Sequence, residues 1–538
     1  MKVHVVVVAT SGNQRFIFAS NKRRENVGAS YLITRVEEKW LTEALENVAE
    51  HRVEIVTANA GGITALVHDP EVGRELVGQI TLRALREAPG LDVCGAVGEA
   101  AEWDELDAAA LAELIRRTRE LLPKAQMSRP GPQLRFPGVP IAARCLSSGL
   151  PAAWIARPTP LERPEPRSAP SMAKLKAFPE ALGRLVEKMG LNGPDREGAR
   201  QRLARVVDWL NFKAEWVAVV HADGNGMGRI FQEFAAIVTA AKPNGERPTA
   251  EEYVQRLRAF SEGVDACAAE ALRRTVAALK NDGAYRLIDG EVPLLPLVLG
   301  GDDLTVVCDG SIALPFAERY LTEFTHLARE NEDVGGLLRR AKHPGLGACA
   351  GVAIVKRHYP FHNAVALAEE LTKEAKSVKA LGQDRCALSF HVLHESAVAR
   401  LARLREEMTL PDGTRLTAQP YVVGEVGADP RGWARHRHWT DLRRRIAALT
   451  CTDEDGRRVL SGAQAHDLRA GLFHGPDVAD ARYRLLTHRI GDGADGVAGA
   501  SGSLFWEFEG RKFTGLLDAM NAVGFLPGSE HTEQERPA

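Results

Sequence analysis

The sequence predicts an α+β protein in which one βαββαβ unit occurs twice. Two observations support this prediction. Strand-like and helix-like segments follow the same order before and after a proline-rich stretch, and segments of the first half align, in order, with segments of the second half. With 538 residues, of which 45% are hydrophobic and 26% are charged, the chain is long enough to bury several cores.

Four pairs of aligned segments define the repeat. They are VVVVATSGNQRFIF (5–18) with VAVVHADGNGMGRIF (217–231), NAGGITALVHD (59–69) with GGDDLTVVCDG (300–310), PGLDVCGAVGE (89–99) with PGLGACAGVAI (344–354), and ALAELIRRTRE (110–120) with ALAEELTKEAK (366–376). Chance similarity between apolar strands could explain any one pair, but it explains four pairs in the same order poorly. Each copy has the element order of a ferredoxin-like fold.

Hydrophobic periodicity and turn residues place the elements of both copies. In the first copy we expect strands at 2–9, 53–68 (a strand-turn-strand) and 91–98, and helices at 24–49, 70–87 and 104–122. In the second copy we expect strands at 215–223, 285–309 (a strand-turn-strand), 346–355 and 384–392, and helices across 228–281 and at 312–342 and 361–380.

The remaining segments connect or follow the two copies. Ten prolines from Pro130 to Pro170 disfavour a helix there and predict an extended linker. The predicted division is a first domain at 1–125, a linker at 126–170, a helical connector at 171–212, a second domain at 213–395 and a helical C-terminal domain at 396–538. The last twelve residues, PGSEHTEQERPA, are expected to be disordered.

Composition restricts the location and the partners. The net charge of −2 gives no overall basic field for nucleic acid. The seven cysteines contain no CxxC pair, which favours reduced thiols over a zinc site or disulfides. The start of the chain, MKVHVVVVATSGN, is too short an apolar run for a signal peptide or a membrane span. We therefore expect a cytoplasmic protein that does not contact membranes.

The two copies differ in charge at four aligned positions, where only the second copy carries three acids and a lysine. These pairs are Ser11 with Asp223, Gly61 with Asp302, Gly62 with Asp303, and Glu120 with Lys376. A purely structural role would be expected in both copies. The second copy is therefore the candidate for a functional site.

The topology predicts that Asp223, Asp302 and Asp303 meet at one edge of the sheet. Carboxylates within roughly 4–6 Å raise one another's pKa unless a cation lies between them. Mg²⁺ or Mn²⁺ would resolve this conflict, and a two-metal site is expected with these three residues as metal ligands and catalytic residues. The simpler alternative is that GGDD is a solvated hairpin turn.

Phosphate is the expected partner of the metal. Small residues after the first strand can present N–H groups to an anion, and the helix at 361–380, which carries Lys376 near its C-terminal end, runs back toward the same edge. The predicted nucleotide- and phosphate-binding residues are Gly224, Asn225, Gly226, Gly228, Gly300, Gly301 and Lys376. Such a set suits attack of a ribose hydroxyl on the α-phosphate of a nucleoside triphosphate.

Together, the GGDD turn, the DGNGMG segment and LAEELTKEAKSVKA (367–380) resemble the palm domain of the polymerase/cyclase large subunit of type III CRISPR systems. That family is related to GGDEF diguanylate cyclases and class III adenylyl cyclases. The resemblance implies two palm domains, the first of them degenerate, metal binding by the three aspartates, contact of Lys376 with the triphosphate, and conversion of ATP to a cyclic oligoadenylate. It also leads us to expect a compact or divergent member without an N-terminal HD nuclease, because the first palm strand begins at residue 2.

Other functions remain open at this stage. The same palm could make a cyclic dinucleotide or a linear oligonucleotide, or the chain could be a scaffold that binds RNA or nucleotide without catalysis. The expected partners are ATP and either RNA or CRISPR effector subunits, and the palm domains could form a homodimer. The basic segment RHRHWTDLRRR (435–445) could contact RNA, although a solvated helix face is the simpler reading. His221, His358 and His362 lie near the predicted edge, where packing is their most common role.

Overall fold

The structure is a computed structural model. It describes residues 1–48, 53–157, 163–191, 193, 195–242, 246–395, 400–429, 431–453, 455–490, 496–498 and 502–526. The predicted disordered tail lies outside the described residues. Two mixed layers of sheet and helix share one continuous apolar core, which confirms the predicted α+β class.

The first sheet has four antiparallel strands in the order β2-β3-β1-β4. Its strands are β1 Lys2–Ser11, β2 Val53–Asn59, β3 Gly62–Val67 and β4 Asp92–Glu102. Its helices are α1 Asn13–Phe18, α2 Arg23–Thr34, α3 Lys39–Val48, α4 Pro70–Glu87, α5 Ala108–Arg119 and α6 Leu122–Met127. Valines 5 to 8 in the inner strand β1 are all buried, as expected for a strand covered on both faces.

Two helix boundaries in this half differ from the prediction. The single helix expected at 24–49 is two helices, because turns interrupt it between Thr34 and Lys39. The helix expected from 104 begins at Ala108, where the carboxylate of Asp107 accepts a hydrogen bond of 2.9 Å from the N–H of Ala110. The local cap therefore sets the start of the helix.

The proline-rich stretch and the connector follow. A short hairpin, β5 Trp154–Ala156 with β6 Glu165–Arg167, lies in the predicted linker, and the connector is two helices, α7 Ala169–Lys188 and α8 Arg196–Phe212. The linker is attached to the first layer. Arg167 is fully buried and donates to the carboxylate of Glu25 in α2 at 2.7 Å.

The second sheet has six strands in the order β12-β11-β10-β7-β9-β8. Its strands are β7 Trp216–Gly224, β8 Leu294–Gly300, β9 Asp303–Asp309, β10 Ala348–Lys356, β11 Cys386–Leu393 and β12 Tyr421–Val423. Its helices are α9 Met227–Gln232, α10 Phe234–Ala240, α11 Ala250–Asn281, α12 Gly310–Glu330, α13 Leu337–Arg340 and α14 Phe361–Ala375, the last followed by a 3₁₀ turn at Lys376–Ala380.

Strands β8-β9-β7-β10 repeat the order β2-β3-β1-β4, so the predicted duplication is present in the topology. β11 adds to the sheet in parallel with β10, and β12 pairs antiparallel with β11. The strand expected from residue 285 begins only at Leu294, because a tight turn at Ile288–Glu291 precedes it.

The C-terminal region is not only helical, contrary to the prediction. Besides β12 it contains the hairpin β13 Trp506–Phe508 with β14 Arg511–Phe513. Its helices are α15 Leu401–Glu407, α16 Trp439–Thr450, α17 Gly462–Phe473, α18 Pro476–Ile490 and α19 Leu516–Ala522. Among the described residues, no helix is long and apolar enough to cross a membrane.

The basic segment at 435–445 is partly core instead of a solvated helix face. Trp439, Arg437 and Arg445 are buried, and the guanidinium of Arg437 lies over the ring of Phe513 at 4.5 Å. These two arginines support packing inside the C-terminal region.

The buried ion pair of Arg167 and Glu25 is expected to hold the linker on the first layer. Glu25→Ala removes the fully buried carboxylate that pairs with the guanidinium of Arg167, so we expect the free energy of unfolding to fall by about 3–5 kcal/mol. Urea denaturation followed by circular dichroism measures this. Glu165→Ala is the control, since Glu165 also contacts Arg167 but is partly exposed, and we expect a loss of about 1 kcal/mol or less. Equal losses in both variants would contradict the assignment.

Candidate functional site

The candidate site lies where β7 ends beside the turn between β8 and β9. β7 is antiparallel to β9, with Ala222 opposite Leu304, so the carboxyl end of β7 meets the start of β9. Asp223 therefore lies next to Asp302 and Asp303, as the topology predicts. A Cβ atom on Gly224 would lie 2.7 Å from the Cβ of Asp302, so only glycine permits this approach.

The turn itself has a left-handed residue and a supporting carboxylate. Gly301 has a φ of +62°, a conformation that favours glycine. Its N–H donates to the carboxylate of Asp265 in α11. Gly300 lies against Ala60 of the first layer. A Cβ atom added to Gly300 would be 3.5 Å from the Cα of Ala60. Both glycines thus shape the turn, and their contact with phosphate stays a prediction.

The equivalent turn of the first copy is built in the same way. The N–H of Gly61 donates to the carboxylate of Glu37, and Asn59 donates to Ser261 of α11. Burial raises the pKa of Glu37 to about 7, and the nearby charge of Asp265 acts in the same direction. The two turns therefore support each other across the interface between the layers.

Two of the aspartates, Asp302 and Asp303, have raised pKa values. Burial, followed by the negative charges of Asp223 and Asp303, raises the pKa of Asp302 well above its usual range. Burial and the charge of Asp223 raise the pKa of Asp303 to about 6, although Lys376 acts in the opposite direction. Such crowding of carboxylates is the condition that a bound cation relieves.

Lys376 lies at this edge, as predicted. It begins the 3₁₀ turn after α14, and its Nζ donates to Oδ2 of Asp223 and, at 3.4 Å, to the carbonyl oxygen of Gly224. The neighbouring Lys373 and Lys379 are exposed. Lys376 therefore supplies the positive charge that partly balances the acids.

Asn225 differs from the prediction. Its side chain is fully buried and its Nδ2 donates to the carbonyl oxygens of Gln383 and Arg385, at 3.2 and 2.7 Å. Its own N–H donates to the carbonyl of Gly347 at 2.8 Å. These groups join the loop after β7 to the segment before β11, so Asn225 holds the loop and does not offer these donors to a phosphate.

The other two loop glycines keep their predicted role as a hypothesis. Gly226 has a φ of +74° and precedes the six-residue helix α9, and a Cβ atom there would lie 2.8 Å from Oε1 of Gln383. Gly228 faces open space. The loop is therefore closely packed at Gly226 and open to solvent at Gly228.

Two further side chains belong to the site. His221 lies two residues before Asp223 on β7, and burial lowers the pKa of its imidazole. Glu369 of α14 lies near His221 and Asp303, and burial raises the pKa of its carboxyl group. The side chain of Gln14, from the first layer, contacts Glu369. In the sequence, His221 is two residues from Asp223, which places both side chains on the same face of a strand. Glu369 is four residues from Lys373 and seven from Lys376, which places the three side chains on one face of a helix.

The donor set fits a divalent cation. Ligand atoms of His221, Asp223 and Asp303 lie within 4.8 Å of one another. The carboxylate of Asp302 contacts that of Asp223 at the same edge. Oxygen donors of this kind, with an unfavourable accumulation of negative charge, suit Mg²⁺ or Mn²⁺.

A ferredoxin-like sheet with acids at the end of its first strand and in its hairpin turn defines a palm domain. Residues 216–387 match the family model of the second palm domain of Cas10/Cmr2. This match confirms the resemblance to the large subunit of type III CRISPR systems over residues 216–387. No curated protein matches the chain.

The chain is also similar to several solved structures, at low sequence identity. Csm1 of T. onnurineus has a TM-score of 0.49 and 12% identity, covering 92% of this chain and 64% of that one. The Csm1–Csm4 cassette in complex with one ATP has a TM-score of 0.48 and 14% identity, covering 91% and 65%. The cassette in complex with cA4 has a TM-score of 0.47 and 13% identity, covering 90% and 64%. This chain thus spans slightly less than two thirds of the length of these proteins.

The raised carboxyl pKa values predict how stability changes with pH in metal-free protein. The folded pKa of Asp302 lies above the unfolded value of about 3.9, so the folded state binds the proton more tightly and loses stability as pH rises from about 4. Asp302→Asn removes this loss. In EDTA we expect the variant to melt at a higher temperature than the wild type at pH 8 and at the same temperature at pH 4.

Asp289→Asn is the matched control for that experiment. Asp289 is an aspartate in a turn before β8, has a φ of +51° that asparagine tolerates, and pairs with Arg205 at 2.9 Å. We expect no pH-dependent difference from the wild type. A lower melting temperature for Asp302→Asn at pH 8 would show that this carboxyl group is not destabilised by its neighbours.

Proposed function

We propose that the protein is a metal-dependent nucleotidyltransferase that converts ATP to a cyclic oligoadenylate in antiviral defence of the type III CRISPR kind. The observation that supports this most is the approach of Asp223, Asp302 and Asp303 at the edge of a palm sheet. The family match over this segment supports the reaction class. We also propose that the division into domains at 1–125, 126–170, 171–212, 213–395 and 396–538 describes the functional parts.

The first copy supports the assignment by contrast. At the position of Asp223 it has Ser11, whose hydroxyl donates to Asp92 at 2.8 Å and accepts from Gln126 at 2.8 Å. This serine is satisfied by neighbouring side chains, so the first copy needs no cation at that point. Among the described residues at the aligned positions, the second copy alone has acids that repel one another.

In the proposed reaction, Asp223, Asp302 and Asp303 would hold the divalent ions. When bound, the ions would lower the pKa of the attacking ribose hydroxyl and neutralise charge on the phosphate oxygens. The open half of the loop, at Gly228, leaves space for a phosphate to approach. A metal ion bound by the acids would make the ion pair between Lys376 and Asp223 less favourable. Lys376 would then leave Asp223 and pair with the triphosphate.

On the basis of the family match, we propose ATP as the substrate, CRISPR effector subunits or RNA as partners, and a cytoplasmic location. Glu369 and Gln14 meet where the first layer borders the site. A homodimer through the palm domains is compatible with the proposal but is not needed, because both copies are present in one chain.

Turnover is the direct test. The purified protein is incubated with each labelled nucleoside triphosphate and Mg²⁺ or Mn²⁺, and the products are resolved by mass spectrometry. We expect a cyclic oligoadenylate from ATP, and a decrease of roughly a hundredfold or more in Asp302→Ala/Asp303→Ala, because these groups hold the charge-neutralising ions. Asp289→Asn should keep full activity.

Other products would change the proposal in defined ways. A cyclic dinucleotide or a linear oligonucleotide would keep the site and change the product. Absence of turnover, together with triphosphate binding that survives loss of both aspartates, would leave a nucleotide-binding scaffold. Adding candidate target RNA to each reaction tests whether an activator is required.

Lys376→Met tests the contact with the triphosphate separately from the metal. Loss of one charge-assisted hydrogen bond should weaken binding of a non-hydrolysable ATP analogue by about 10- to 100-fold, as measured by calorimetry with Mg²⁺ present. Lys379→Met is the control, since that lysine is exposed three residues further along. Equal weakening in both variants would indicate a general effect of charge and would exclude a specific contact.

A further inference from the structure

Among the histidines that the structure describes, His221 is the one grouped with the acids of the site. It is on β7 two residues before Asp223, so both side chains lie on one face of the strand. The Nε2 atom of His221 is 3.9 Å from Oδ1 of Asp303. Ligand atoms of the three residues lie within 4.8 Å of one another. Two ligands on opposite sides of a small divalent ion are about 4.2 Å apart, so small adjustments would bring all three to one ion.

The orientation of the ring is fixed from the opposite side. His221 pairs with Thr305 across β7 and β9, and its Nδ1 lies 3.1 Å from the hydroxyl oxygen of Thr305. With Nδ1 donating to this oxygen, Nε2 keeps its lone pair and directs it toward the carboxylates. Histidine ligands of metal sites are held in this way by a hydrogen bond to the other ring nitrogen.

Packing alone does not account for this arrangement. A buried histidine needs a partner, and Thr305 supplies one, but that contact leaves the second nitrogen aimed at Asp303. In the aligned first copy the same position is Ala9, beside Ser11. The imidazole therefore occurs only in the copy that carries the acids.

We propose that His221 is a nitrogen ligand of one metal ion in this site, and that it makes the site prefer a first-row transition ion such as Mn²⁺ over Mg²⁺. The proposal rests on the proposed function, since it concerns the same ions. Its chemical reason is that Mg²⁺ binds oxygen donors and water almost exclusively, whereas transition ions accept imidazole nitrogen readily. His221 thus determines the metal preference and leaves substrate binding to other residues.

Pulsed EPR of the 538-residue protein with Mn²⁺ as the probe tests this without any need for activity. We expect spin-echo modulation from a directly bound nitrogen in the wild type, its loss in His221→Asn, and its retention in His362→Asn, a control at an exposed histidine at the start of α14. Competition with Mg²⁺ should show that the preference for Mn²⁺ falls at least tenfold in His221→Asn. Thr305→Val, which keeps the ring but removes its partner, should weaken Mn²⁺ binding about tenfold.

Each outcome separates this proposal from the proposed function. Mn²⁺ that binds with no nitrogen signal overturns the role of His221 and leaves a metal site of carboxylates. No binding of Mn²⁺ to the wild type overturns both. A nitrogen signal that persists in His221→Asn assigns the nitrogen ligand to another residue and also overturns the proposal. If His221→Asn does not fold, the wild-type spectrum and Thr305→Val still decide.

Discussion

The close approach of three carboxylates is the constraint on which the rest of the site depends. Antiparallel pairing of β7 with β9 brings Asp223 to the turn that carries Asp302 and Asp303, and Gly224 leaves room for the side chain of Asp302. The resulting repulsion is partly balanced by Lys376. In the absence of metal the arrangement is held by the surrounding fold against an unfavourable electrostatic energy, which is common at sites that bind cations.

The surrounding structure supplies that support from several directions. Asp265 of α11 holds the turn through Gly301, and the turn of the first layer lies against it at Ala60. Asn225 fixes the loop after β7 to the segment before β11. The first copy has thus kept a structural role at the site although it lacks the acids.

Much of this could be predicted from the sequence, since the duplication, the position of the three acids and that of Lys376 follow from strand order and alignment. The role of Asn225 could not, because its partners at 383 and 385 are far away in the sequence and their carbonyl groups leave no trace in the residue types. Nor could β12, since a strand of three residues is too short to show periodicity. Glu369 shares helical spacing with Lys373 and Lys376, but its approach to His221 and Asp303 follows only from the packing of α14 against the sheet.

The three-residue strand β12 also affects how the protein forms. Because β12 covers the outer edge of β11, the second sheet is completed by residues 421–423, which follow the rest of the sheet in the chain. On the ribosome, every other strand of that sheet emerges first, and β11 then presents an open row of backbone donors and acceptors to its surroundings. A chain truncated after residue 395 would therefore carry the acids of the site together with an edge prone to pair with other chains.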